Sequence, residues 1–148
     1  NWECKKELEE LLVSLDDFFG KDKYGEFRVY EFPRPHDACK SIRITTEAIS
    51  KTEYHEVVLN ISIITKYYSF YRSHIIDGFS PSIAFNDFSD KEFFIIEKTT
   101  EKMRDAFSEY KNFPIELMKE KVERITPISG GLLGETTIYE SIFTDHIW

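Results

Sequence analysis

Apolar residues recur along the chain at two spacings, and the switch between them separates helical from extended stretches. Between Trp2 and Phe19, the residues Leu8, Leu11, Leu12, Leu15, Phe18 and Phe19 keep an i, i+3, i+4, i+7 rhythm, with acids and lysines between them. That rhythm predicts an amphipathic helix, and Gly20 is placed to end it. Phe27 to Phe32 is rich in β-branched and aromatic residues and stops before Pro33 and Pro35, which predicts a first strand. From Ser41 to Ile49, the residues Ile42, Ile44, Thr46 and Ala48 alternate with Arg43, Thr45 and Glu47. Such alternation predicts a second strand with one wet face.

Glu56 to Ile76 carries Val57, Leu59, Ile61 and Ile63 on one side, with Asn60, Ser62 and Lys66 interleaved, and continues as Tyr67-Tyr68-Ser69-Phe70-Tyr71. One long, bent strand accounts for this best; a break into two strands near Thr65-Lys66 is the alternative. Gly78 and Pro81 mark a loop, and Ser82 to Phe85 has room for a brief pairing. Ser89 with Glu92 forms a capping box that opens a helix expected from Asp90 to Tyr110. Pro114 suits a first helical position, and Ile115, Met118, Val122 and Ile125 predict a third helix. Beyond the glycine-rich loop Ser129 to Gly134, the segment Thr136 to Trp148 matches a helix better than a strand. The expected fold is α+β: one domain over residues 1–148, an N-terminal helix, an antiparallel meander of three to four strands, then C-terminal helices packed on one face of the sheet.

A chain of 148 residues can bury a core without help from metal or disulfide. It holds 19 basic and 27 acidic residues, a net charge of −8, so its average field repels phosphate-rich partners and no nucleic acid is expected. Arg28, Arg34, Arg43, Lys66 and Arg72, interleaved with Tyr30, Tyr68 and Phe70, have the ingredients of a base-stacking surface. Glu31, Glu47, Glu53 and Glu56 balance that charge. Apolar runs such as Phe93-Phe94-Ile95-Ile96 fall far short of the roughly 20 residues a membrane span requires, so no membrane association is expected. Trp2-Glu3-Cys4-Lys5-Lys6 shows no signal-peptide pattern. Two cysteines, Cys4 and Cys39, do not make a disulfide framework, which points to free thiols and a cytoplasmic location.

Chemistry is sparse. The stretch Ser129-Gly130-Gly131-Leu132-Leu133-Gly134 lacks the lysine of a phosphate loop and is followed by Glu135, so it reads as a hinge. His36, His55, His74 and His146 share no metal-ligand spacing. No serine elbow and no paired cysteine and histidine stand out, so no catalytic set, metal or cofactor is expected. The densest titratable group is Glu53-Tyr54-His55-Glu56. If it is extended, Glu53 and His55 share a face and can orient one another, although a solvated strand start is the plainer reading.

Charge is unevenly spread: residues 1–31 carry −4, residues 32–78 carry +1, residues 79–125 carry −2 and residues 126–148 carry −3. Acid therefore gathers on the helical segments, and the strands are nearly balanced. A strand sends Tyr68 and Phe70 to one face and Tyr67 and Tyr71 to the other, so either both faces are covered or one aromatic set is exposed. Acid excess without a catalytic set points to a protein-binding module that engages a basic cognate protein. The expected contacts are Asp16, Asp17, Asp87, Asp90 and Asp145, with Tyr67, Tyr68, Tyr71 and Trp148. Bacterial immunity proteins that neutralise basic toxin or effector domains share this general size and charge, and no motif supports a closer link. The alternative is a small-molecule enzyme or ligand-binding domain with a pocket between sheet and helices, using His55 or His74 beside a carboxylate.

Overall fold

In the computed structural model, which describes residues 2–20, 28–32, 38–122 and 137–143, the first amphipathic stretch forms helix α1, Lys5–Phe19. Leu8, Leu11, Leu15 and Phe19 make its buried stripe. Strands β1 (Arg28–Phe32), β2 (Cys39–Ala48), β3 (Glu53–Ser62), β4 (Tyr67–Ile76) and β5 (Ser82–Ala84) follow as an antiparallel meander in chain order. Helix α2, Asp90–Ala106, then returns along α1. Trp2 stacks on Phe107 at one end of the pair and Phe18 meets Phe94 at the other, so the two helices are antiparallel.

The long strand expected over Glu56 to Ile76 is a hairpin, β3 and β4, in line with the alternative break near Thr65-Lys66. Ser62 makes the turn: its hydroxyl accepts from the Ile64 and Thr65 amides at 3.3 and 3.1 Å and donates to the Ile142 carbonyl at 2.9 Å. Ile63 and Ile64 sit exposed in that turn, which is why the apolar pattern ran on without a visible break.

Alternation then divides the sheet into two unlike faces. Ile42, Ile44, Val57, Leu59, Ile61, Tyr68 and Phe70 pack against Leu8, Leu11, Leu15 and Phe19 of α1 and Ile95 and Met103 of α2. Burial of each such side chain contributes roughly 1.5–3 kcal/mol, so this layer is the main source of stability. The opposite face is buried but largely polar, with Ser41, Arg43, Glu56, Asn60, Ser62, Ser69 and Ser73 among Val58 and Tyr71. Its cover includes a second core of Cys39, Phe113, Tyr139 and Phe143, in which short helix α3, Ile138–Ile142, supplies Tyr139. The expectation that helices cover one face only is therefore corrected. Tyr71 and Ser69 face away from α1 and α2 and need their own cover.

A polar ladder locks α3 onto the sheet. Ser41 donates to Asn60 at 2.6 Å, Asn60 donates to the Tyr139 hydroxyl at 3.3 Å, and that hydroxyl lies 2.7 Å from Ser69. Ser41, Asn60 and Ser69 are register partners on β2, β3 and β4, so one row crosses three strands. Farther along this face Arg43 donates to Glu56 at 3.0 Å, the Tyr30 hydroxyl donates to the other Glu56 oxygen, and the Phe32 ring lies 4.0 Å from the Arg43 guanidinium.

Two helix expectations need correction. α2 ends at Ala106, four residues before Tyr110, and Phe107 turns out of the helix while still burying its ring. Of the third helix expected over Ile115 to Ile125, residues 123–125 lie outside the described residues, and the described part holds one 3-10 turn, Ile115–Leu117, and an isolated bridge from Lys121 to Thr137. The preceding residues Lys111–Asn112 form β6, which joins β4 in parallel through bonds from Lys111 to the Lys66 carbonyl and from Phe113 to the Tyr68 carbonyl. No residue of that 3-10 turn is buried, so it has no apolar face to extend it. The C-terminal helix appears over Ile138–Ile142, opened by a capping box of Thr137 and Glu140. The glycine-rich loop and residues 144–148 lie outside the described residues. Cys4 and Cys39 are free thiols packed in the two different cores.

Candidate functional site: an acidic, aromatic end of the helical layer

α1 and α2 each carry adjacent aromatic residues, and a helix cannot bury both members of such a pair on one stripe. Successive side chains are about 100° apart, so Phe93-Phe94-Ile95-Ile96 wraps most of the way round α2. Ile95 takes the buried direction, which leaves Phe93 56% and Phe94 37% exposed. On α1, Phe19 is buried and Phe18 is 37% exposed. The Phe18 and Phe94 rings meet at 6.4 Å, Phe18 also stands edge-on to Phe19 at 5.0 Å, and Phe88 meets Phe93 at 5.8 Å. An apolar aromatic strip therefore crosses from the last turn of α1 to the first turns of α2.

Acids frame the strip. Asp16 and Asp17 lie exposed on the last turn of α1, and Asp87 and Asp90 lie exposed at the entry to α2. Their local roles differ. Asp90 and Glu92 stand in the first turn of α2, where the helix dipole favours negative charge, and Glu92 closes the capping box with Ser89. Asp16 and Asp17 stand at the carbonyl end of α1, whose last turn holds no basic residue, and there the dipole disfavours them. Asp87 adopts a left-handed φ of 57°, which aspartate tolerates better than most residues. Lys102 places its ammonium 5.6 Å from the centre of the Phe18 ring, so a cation already occupies one face of the strip.

Of the contacts expected from sequence, the structure brings Asp16, Asp17, Asp87 and Asp90 to this end. Asp145 and Trp148 lie outside the described residues. Tyr68 and Tyr71 are corrected: both are buried, one in each core layer, and Tyr67 is half-buried edge-on to Phe113 at 5.7 Å. Cover on both faces of the sheet, by α1 and α2 on one and the Phe113–Tyr139 cluster on the other, leaves no room for an exposed aromatic set there. Among the described residues the exposed rings include Phe32 and Phe79 singly and Phe18, Phe93 and Phe94 together at this end, and adjacent aromatics on a helix were the signal for those three.

Arg34 lies outside the described residues, and among the described residues the basic side chains of the strands form no continuous stripe. Arg43 is buried on Glu56, Lys66 pairs with Glu109, Arg72 faces Glu92 at 3.8 Å, and Tyr68 and Phe70 are in the core. Glu53 does orient a histidine, but across the hairpin: its carboxylate lies 2.9 Å from Nε2 of His74, and His55 stacks on the His74 ring at 4.2 Å. Register explains the difference, because His55 and His74 are direct partners on β3 and β4. Among the described residues no group of three or more His, Cys, Asp or Glu side chains is arranged to hold a metal ion. A groove of about 610 Å³ also opens beside β5, lined by Ile83, Phe85, Ile115, Met118 and Tyr139. No helix among the described residues is long and apolar enough to cross a membrane. Comparison with protein-family models, curated proteins and solved structures gives no match for this chain.

Proposed function

We propose that this protein is a binding module that docks a basic cognate protein on the acidic, aromatic end of α1 and α2, as an immunity-type inhibitor of a toxin or effector. One observation carries the reading: exposed Phe18, Phe93 and Phe94 are framed by Asp16 and Asp17 at the helix end whose dipole disfavours them. Acids kept where they cost local stability make sense when a cationic partner offsets that cost. Aromatic rings at the centre with charge at the rim is the layout in which rings supply affinity and charges supply encounter rate. The proposed location is the cytoplasm, where such an inhibitor would meet its target.

Capture from the native host tests it, comparing the native chain with an Asp16→Asn, Asp17→Asn, Phe93→Ala variant at low and high salt. The reading expects a stoichiometric basic protein, retained by the native chain at low salt, weakened by salt and lost by the variant. Equal recovery by both chains, or no stoichiometric partner, would sink it. The groove beside β5 favours a second reading, a ligand-binding domain that takes a small apolar molecule against Phe85 and Met118. Its mark would be saturable binding of an apolar fluorophore that Met118→Trp blocks.

A further inference from the structure

Three strands bring an unusual set of side chains to one place at the end of the sheet that faces α2. On β4, Arg72 and His74 share a face, as residues two apart must. His55 of β3 and Ser82 of β5 are the register partners of His74 on either side. Together with Ile83 and Ala84 these four residues line a cavity of about 120 Å³. At roughly 30 Å³ per liquid water, that is space for a polar group of a few heavy atoms.

The donors around this cavity are partly committed: His74 Nε2 lies 2.9 Å from the Glu53 carboxylate and Arg72 is ion-paired with Glu92. Among the described residues His55 makes a ring stack but no side-chain hydrogen bond, and the Ser82 hydroxyl makes none. Arg72 lies 3.8 Å from the Glu92 carboxylate, an ion pair beyond hydrogen-bond distance, and the same Glu92 oxygen accepts from the Ser89 amide at 2.8 Å. A guanidinium keeps its charge at every physiological pH, so one fixed cation stands at the cavity beside the two imidazoles. A planar fork of donors, two imidazoles and a hydroxyl converging on a small volume is the chemistry that holds an oxyanion.

We propose that His55, Arg72, His74 and Ser82 form a binding site for a single tetrahedral oxyanion, the group shared by inorganic phosphate and phosphate esters. Arg72 supplies the fixed charge and Ser82 a neutral donor. His74, positioned by Glu53, and His55 add ring donors. The site is distinct from the acidic surface proposed for a protein partner and stands or falls independently of it.

Sulfate is the first probe, because it is a tetrahedral oxyanion whose charge stays fixed near neutral pH. Histidine ring and backbone amide resonances are followed by NMR as sulfate replaces chloride at constant ionic strength. Expected are saturable shifts at His55, His74, Ser82 and Ala84. Arg72→Gln abolishes the shifts, and His55→Asn weakens sulfate binding several-fold while leaving the fold melting as before. Competition by glycerol phosphate assigns the site to esters, and competition by inorganic phosphate alone assigns it to the free ion. Shifts that chloride reproduces, or that Arg72→Gln leaves unchanged, overturn the proposal.

Discussion

Phe18 at the end of α1 and Phe94 near the start of α2 touch at 6.4 Å, and this contact gathers acids from two distant parts of the sequence onto one end of the molecule. Phe93 lies beside it without a packing duty in the core, being more than half exposed. Phe93→Ala is therefore expected to change folding stability by no more than about 0.5 kcal/mol. The same change is expected to cost about 2 kcal/mol or more in affinity for the cognate basic protein. Denaturant melts alongside calorimetric titration of the partner separate the two effects, and equal losses in both would contradict the surface assignment.

Asp16 and Asp90 offer a matched pair with opposite signs. Asp16 sits at the negative end of the α1 dipole and Asp90 at the positive end of the α2 dipole. Asp16→Asn is expected to raise stability by about 0.3–1 kcal/mol, and Asp90→Asn to lower it by a similar amount, with both effects shrinking in salt. Urea midpoints at constant slope read this directly.

Glu56 is fully buried between Arg43 and Tyr30, so its loss strands a guanidinium in the interior. Glu56→Ala is expected to destabilise by about 3–5 kcal/mol. Tyr30→Phe removes one donor and leaves the ion pair in place, and about 1–3 kcal/mol is expected. A Glu56→Ala protein as stable as the native chain would show that the buried pair contributes nothing to the fold.

Alkaline pH provides a further check on the tyrosines. Burial pushes the Tyr110 phenol up to about 12, and burial likewise raises Tyr68, Tyr139 and Tyr30, the last also through its bond to Glu56. A phenol with a higher pKa in the fold than in the unfolded chain holds its proton longer when folded. Its contribution to stability is complete below about pH 10 and is lost as pH rises through the folded value. Phenolate absorbance of these four residues is expected to lag behind that of an exposed tyrosine and to rise together with the loss of far-ultraviolet helical signal. Early, independent titration of all eight tyrosines would contradict their burial.

Much of the architecture was legible because it follows from local periodicity. The α1 stripe, the β2 alternation and the Ser89–Glu92 cap each depend on residues within a turn or two of one another. The β3–β4 hairpin was harder to read, because Ile63 and Ile64 hide a turn made by the hydroxyl of Ser62. The overlong third helix has another origin: Ile115, Met118 and Val122 keep helical spacing, but no residue of Ile115–Leu117 is buried, and which apolar residues find cover is not contained in a local window.

The candidate site divides the same way. Acid on the helices could be counted along the chain, and adjacent aromatics on one helix announced that some ring must face outward. Which ring faces outward depends on which side of each helix meets the sheet, and that is a property of packing. The pairing of Glu53 with His74 rather than His55 likewise came from strand register. Sequence alone determined the periodicities, the caps and the charge, because these are interactions between neighbours. Tertiary structure alone decided which aromatic residues are core, which are surface, and which histidines meet, because those depend on segments far apart in the chain competing for one buried space.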